Sequence, residues 1–292
     1  MKKYLLLAIT LLTSMSMWAQ TWVKYQGVTY KVTDNTNNYV SVYQDSSNVK
    51  TLSGVIDIPA SFSAIPVNGT ESATYTVKGL GYWKYGNAVS LNLYATAIET
   101  ITDLHNVLNS NVDTLMLPKT LTSISWTAST GSGGVKYLAA FKVHEDNATL
   151  SAADGVLFNK NTKSLVLYPF RKTEVVYTVP EVIERIGNNA FYDNNKLEKI
   201  ILPSTLNTIG SYAFYTCDYL SDVNFPENLT SIGQYAFYGI KLNPANSNLI
   251  LPGSLSNIGQ YAFYDAFAYS SKMTVEFPAT LGQSGSHVTV VA

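Results

Sequence analysis

Four stretches of the chain are near-copies of one another: IGNNAFYDN from Ile186, IGSYAFYTC from Ile209, IGQYAFYGI from Ile232 and IGQYAFYDA from Ile258. The Ile-Gly pairs are spaced 23, 23 and 26 residues apart, and a proline stands six residues before each (Pro180, Pro203, Pro226, Pro252). Pro278 continues the series 26 residues after Pro252. A fixed period of this length marks a repeat architecture, in which each unit needs its neighbours to bury its apolar side. The full unit is written by LEKIILPSTLNTIGSYAF from Leu197. Its pattern is apolar-x-x-apolar-x-apolar-Pro-x-x-Leu-x-x-Ile-Gly-x-x-Ala-Phe.

The spacing predicts how one unit runs. Ile200 and Leu202 are two apart, so both face one side of a short strand. Pro203 cannot donate to a strand ladder and ends it. Leu206 and Ile209 turn the chain back over the core. Gly210 is expected to bend sharply with positive φ. Ala213 and Phe214 close the coil in a short helical or 3₁₀ turn. Stacked units give a mainly β repeat solenoid with a parallel sheet on one face.

Fainter units extend the array backwards. VDTLMLPKTLTSIS from Val112 fits the frame, with Pro118 six residues before Ile124, and Ile101 lies 23 before Ile124. GVIDIP from Gly54 is a further degenerate unit. Val28, Tyr30 and Val32 alternate, as do Val40 and Val42 after the polar turn at Asp34, which predicts strands capping the open end. Asp154-Gly155 and the polar run NKNTK from Asn159 place a β-hairpin inside the array. The expected organisation is a signal peptide at 1–19, an N-terminal β capping region with a degenerate repeat at 20–85, and a solenoid at 86–292 with a hairpin inserted at 141–170.

Export is read from Lys2, Lys3 and the short apolar run Leu5 to Leu12, with cleavage after Ala19. The expected location is secreted, periplasmic or cell-surface. That run is too short to span a bilayer, and no other segment resembles a membrane span. Net charge is −1 and charged residues are 13%, so no basic patch exists to track phosphates and nucleic acid is not an expected partner. Cys217 is the only cysteine, which excludes a disulfide within the chain.

The repeat resembles the BspA-like class of bacterial leucine-rich repeats, whose pattern ends in Ala-Phe-x-x-Cys. Cys217 falls on that last position, where the other units carry Asn194, Ile240 and Ala266. The hairpin from Ala153 and the opening GVTYKVT from Gly27 also match segments common in that class. The resemblance implies a leucine-rich-repeat horseshoe on an exported or surface protein of anaerobic bacteria. It implies no cofactor, and for some members adhesion to host matrix or bacterial surface proteins.

Candidate sites follow from the frame. Positions two and four before each proline line the sheet's outward face, giving Met116, Thr178, Lys199, Ile201, Asp222, Asn224, Asn248 and Ile250 as a candidate protein-binding face. Tyr192, Tyr215, Tyr238 and Tyr264 follow each Ala-Phe, and Tyr212, Tyr235 and Tyr261 precede it. Coils repeat at about the strand spacing of 4.8 Å, so these rings are expected to stack into a structural ladder ahead of a binding surface. The alternative function is a carbohydrate-binding module, which an exposed, unstacked aromatic pair in a concave site would favour. Catalysis is not expected. His144-Glu145-Asp146 reads as a solvated turn, Cys217 sits on a core position, and the residues contain no nucleophile, phosphate or metal motif.

Overall fold

The computed structural model describes residues 22–26, 28–34, 37, 39–44, 54–67, 71–83, 89–104, 108, 112–126, 134–243, 248–267, 274–276 and 278. The expected leader, His105, the small-residue loop at 127–133 and the C-terminal stretch with His287 lie outside them.

The chain opens with strands Trp22–Tyr25 (β1), Val28–Asp34 (β2), Tyr39–Gln44 (β3), Gly54–Asp57 (β4), Ser61–Ala64 (β5) and Ala73–Trp83 (β6). Five of them make one sheet in the order β1-β2-β3-β6-β5. The alternating residues Val28 and Tyr30 are buried in it. Strand β4 leaves this sheet and pairs in parallel with Val89–Asn92 (β7), as the degenerate unit at Gly54 requires. Thr100–Ile101 (β8), Val112–Leu117 (β9), Ser123–Ile124 (β10) and Ala140–Val143 (β11) follow. β4, β7, β9 and β11 form a parallel sheet, and β10 pairs with β8 in the register Ile124↔Ile101 that the 23-residue spacing predicts.

Leu150–Ala153 (β12), Val156–Asn159 (β13) and Ser164–Leu167 (β14) form an antiparallel meander where the hairpin was expected. Both of its faces are buried. Leu150, Leu157 and Leu167 join the core of the preceding coils, while Val156, Phe158 and Leu165 join the core of the following ones. The meander is therefore a wall between two cores.

The clean repeats supply Val176–Thr178 (β15), Arg185–Ile186 (β16), Lys199–Ile201 (β17), Thr208–Ile209 (β18), Asp222–Val223 (β19), Ser231–Ile232 (β20), Asn248–Ile250 (β21), Asn257–Ile258 (β22) and Thr274–Glu276 (β23). Each coil thus has two short strands. The even-numbered set continues the meander as β14-β16-β18-β20-β22, all parallel, in register Ile186↔Ile209↔Ile232↔Ile258. The odd-numbered set is broken: β15-β17-β19 form one sheet and β21-β23 another. The break falls where the repeat lengthens from 23 to 26 residues, between Phe237 and Leu249.

Within one coil every apolar position of the pattern is inside. Leu197, Ile200, Leu206, Ile209, Ala213, Phe214, Cys217 and Leu220 are fully buried. Each proline ends its strand and accepts a turn bond three residues on, as Pro203 O does from Leu206 N at 3.1 Å. Pro118, Pro180, Pro226 and Pro252 do the same, so the faint unit at Pro118 shares the frame.

The Ile-Gly step works differently from the sequence expectation. Gly187, Gly210, Gly233 and Gly259 do not have positive φ. A Cβ on Gly233 would lie 2.4 Å from Ser211 N, and one on Gly259 2.3 Å from Gln234 N. Glycine is needed because adjacent coils touch backbone to backbone there, not because the chain bends. The left-handed residue comes two positions later, at Asn189, Tyr212, Tyr235 and Tyr261, and again at Asp193, Thr216, Gly239 and Asp265. Between these, amides alternate between two partners. Tyr212, Phe214 and Thr216 donate to the carbonyls of Gln234, Ala236 and Tyr238 in the next coil, while Tyr215 and Cys217 donate three residues back. The closing segment is thus a string of 3₁₀-type turns held to its neighbour, with no continuous helix.

Phe191, Phe214, Phe237 and Phe263 stack down the core at 4.9, 5.1 and 5.2 Å. Replacing Phe237 by Ala leaves a cavity between two rings and is expected to destabilise the fold by about 3–5 kcal/mol in denaturant titration. Gly233→Ala forces two backbones apart and is expected to cost about 2–3 kcal/mol, measured the same way. Burial raises the Cys217 thiol well above its usual pKa, and its Sγ donates to Phe191 O at 3.0 Å. A disulfide-exchange reagent should therefore leave Cys217 unlabelled in native buffer and modify it fully in denaturant.

Candidate functional site

Two columns of tyrosine run side by side along the coils. Tyr192, Tyr215, Tyr238 and Tyr264 stack at 5.1, 4.7 and 5.2 Å with interplanar angles of 9°, 14° and 8°. Tyr212, Tyr235 and Tyr261 stack at 5.0 Å in both steps, with angles of 16° and 28°. The columns meet at an angle: the rings of Tyr212 and Tyr215 are 5.5 Å apart and tilted by 54°, those of Tyr261 and Tyr264 5.7 Å and 83°. Between them lies an open groove of about 510 Å³ lined by Tyr212, Tyr215, Tyr235, Tyr238, Tyr261 and Tyr264. Tyr192 starts its column outside the groove, edge-on to Trp126 at 5.6 Å.

The second column is held at a conformational cost. Tyr212, Tyr235 and Tyr261 have φ of 58°, 54° and 57°, the left-handed region that a bulky L-residue rarely adopts. The preceding coil has Asn189 there at 58°, a residue for which that region is cheap. Each tyrosine costs about 1–2 kcal/mol in that region, and ring stacking at about 0.5–1.5 kcal/mol per pair offsets it. Burial and neighbouring phenols raise the Tyr192, Tyr215 and Tyr235 hydroxyls above their usual range, so these groups stay neutral near pH 7.

The sheet face expected from the sequence is divided among three sheets. Met116 is half-buried in β9, opposite Asn92 of β7 and Lys142 of β11. Thr178, Lys199, Ile201 and Asp222 share the three-stranded sheet, and Asn248 and Ile250 lie on β21. Thr178 is exposed, Ile201 is 38% and Ile250 62% exposed, and Val176, the register partner of Lys199, is 47% exposed. Lys199 Nζ pairs with Asp222 Oδ2 at 2.6 Å. Asn224 is occupied within the fold: its side chain accepts from Leu202 N at 2.7 Å and donates to Leu202 O at 2.9 Å.

His144 is half-buried with its ring edge-on to Tyr94, and Glu145 and Asp146 are exposed in a turn. Asp146 N donates to His144 Nδ1 at 3.2 Å. Among the described residues no three His, Cys, Asp or Glu side chains converge, and no helix is long and apolar enough to cross a membrane. A second cavity of about 320 Å³ lies at the meander's end, lined by residues that include Phe158, Lys160, Lys163, Val182 and Ile183. Both lysines are engaged, Lys160 with Asn147 O and Lys163 with Glu184 Oε1 at 2.5 Å.

One polar residue has no counterpart in the sequence reading. Asn147 is buried and uses its whole side chain, donating to Pro118 O and Leu121 O at 2.8 and 2.9 Å and accepting from Thr149 N and Leu150 N at 2.9 and 2.7 Å. It ties the turn after Pro118 to the start of the meander. It stands outside the repeat, so the period gave no signal for it.

Residues 156–270 match six copies of the BspA type leucine-rich-repeat region. No curated protein matches the chain. Among solved structures, a leucine-rich repeat protein from Eubacterium ventriosum is 18% identical with a TM-score of 0.47, covering 89% of this chain and 91% of its own. A leucine-rich cell surface protein from Faecalibacterium prausnitzii is 14% identical with a TM-score of 0.42, covering 92% and 98%. The pneumococcal vaccine antigen PcpA is 18% identical with a TM-score of 0.41, covering 82% and 78%. Residues 156–270, where the repeating frame is cleanest, thus carry six copies of the BspA type leucine-rich repeat.

Proposed function

We propose that this is an exported, non-enzymatic surface protein that binds a protein partner through the outward faces of its parallel sheets, as an adhesin for host matrix or bacterial surface proteins. The observation that carries the reading is the set of apolar side chains left in solvent there. Ile201 and Ile250 occupy the same position of their coils, two residues before the proline, and the exposed Val176, four before its own proline, pairs with Lys199 in the sheet that holds Ile201. Recurring exposed apolar groups on a poorly charged surface mark an interaction site more often than scattered single ones do. The Lys199–Asp222 pair is already self-neutralised, so a protein partner of low charge meets no isolated charge to desolvate. Repeats of this class in general bind proteins, which supports the same reading. Export rests on the basic and apolar start of the sequence.

The test is a solid-phase array of purified fibronectin, fibrinogen, laminin and collagen probed with the full chain. The double variant Ile201→Asp/Ile250→Asp changes exposed side chains and is expected to melt like the wild type while binding its partner at least about tenfold more weakly. Unchanged binding by a folded double variant would remove the sheet face from consideration.

A further inference from the structure

We infer that the groove between the two tyrosine columns is a separate binding site for an extended, uncharged polysaccharide of β-1,4-linked sugars. The site shares no residue with the sheet face, so its fate is independent of the protein-binding reading.

The chemistry of the lining comes first. All six lining residues are tyrosines. A phenol both donates and accepts, and carries no charge at neutral pH. The hydroxyls of Tyr212, Tyr215, Tyr238, Tyr261 and Tyr264 make no hydrogen bond with any described residue. A wall of neutral, two-way hydrogen-bonding groups matches a neutral polyhydroxyl ligand. It does not match phosphate or a charged peptide, which need fixed countercharge. A proline-rich peptide also docks in aromatic-lined grooves and is the rival occupant that the comparator below separates.

The repeat of the wall comes second. The groove spans three coils, and its rings recur every 4.7–5.2 Å on one side and every 5.0 Å on the other. Nearly parallel rings in contact are about 3.5–4 Å apart face to face, so centroids at these separations mean that each ring is slipped against the next like a shingle. Stacking therefore leaves a strip of every ring, with its hydroxyl, facing the groove. A β-1,4-linked chain is an extended ribbon that advances by about one sugar per coil, each sugar turned by about half a revolution from the last, so its two hydroxyl-bearing edges alternate between the two tyrosine walls. A helical α-1,4 chain would curve out of register.

The backbone supplies an independent reason. Tyr212, Tyr235 and Tyr261 stand in the left-handed region, where Asn189 shows that the same turn accepts asparagine. Strain of this kind gathers at functional sites when the surroundings hold it in place. The three strained tyrosines are the whole of one wall.

Isothermal titration calorimetry of the full chain with cellohexaose and xylohexaose tests the site, with glucose, maltohexaose and a proline decamer as comparators. The expected result is binding of at least one β-1,4 hexaose and none of glucose. The double variant Tyr235→Phe/Tyr238→Phe keeps both ring stacks and loses two hydroxyls, and is expected to bind about tenfold more weakly with an unchanged melting temperature. Tyr235→Asn, which adopts the residue already used at 189, is the second variant should the first fail to fold, with loss of binding expected. Failure of both β-1,4 hexaoses to bind at millimolar concentration, tighter binding of maltohexaose or the proline decamer, or undiminished affinity in the folded variants would overturn the assignment.

Discussion

Adjacent coils of this protein touch backbone to backbone at the Ile-Gly step, and most of the structure depends on that contact. At Gly210, Gly233 and Gly259 there is no room for even a methyl group between one coil and the next. The close approach brings the second strand of each coil to hydrogen-bonding distance, so the ladder through Ile186, Ile209, Ile232 and Ile258 runs without a break. It also sets the separation of every equivalent side chain. Phenylalanines inside and tyrosines outside recur at 4.7–5.2 Å because the strands do. Stacked rings are thus a consequence of the backbone contact, and every column repeats the period of the ladder.

The sequence carried the frame but not the backbone angles. A period of 23 states which residues are equivalent, and the apolar ones among them are buried or, as at Val223, Phe225 and Ile258, partly buried against the core. It predicted the Ile124↔Ile101 register in a region where the motif itself is faint. It could not say why glycine recurs, since a bend and a close contact leave the same residue in the sequence. The left-handed positions were invisible for the complementary reason: tyrosine at 212, 235 and 261 gives no hint of positive φ, whereas glycine or asparagine would have. The outward sheet face was read as one row. It is divided between β15-β17-β19 and β21-β23, and the division coincides with the coil that is three residues longer, while the other strand set holds its register. Asn147 lay outside the repeat and so outside any periodic signal.

Whether the tyrosine columns form a ladder or a site is not a choice between exclusive readings. A ladder uses ring faces, and a groove uses hydroxyls and the strips of ring that slippage leaves open. The column that follows Ala-Phe begins at Tyr192, against Trp126, and is continuous with the interior. The column that precedes Ala-Phe is different. It exists only where tyrosine replaces an asparagine that fits the turn at lower cost, and Tyr261 at its end is 40% exposed. Stacking alone explains the first column more fully than the second.

The two proposed surfaces share a physical character. The sheet face offers apolar groups beside one self-neutralised ion pair, and the groove offers neutral hydroxyls. Neither projects a field beyond its own contact distance, so neither steers a partner from afar. Encounter then proceeds at unaided rates, and retention depends on how many equivalent contacts form together. A solenoid supplies those contacts directly, since each coil presents the same group one strand spacing further along. A ligand that is itself periodic, whether a polysaccharide or a surface displaying many copies of one protein, converts successive weak contacts into intramolecular ones and gains avidity without any single strong site.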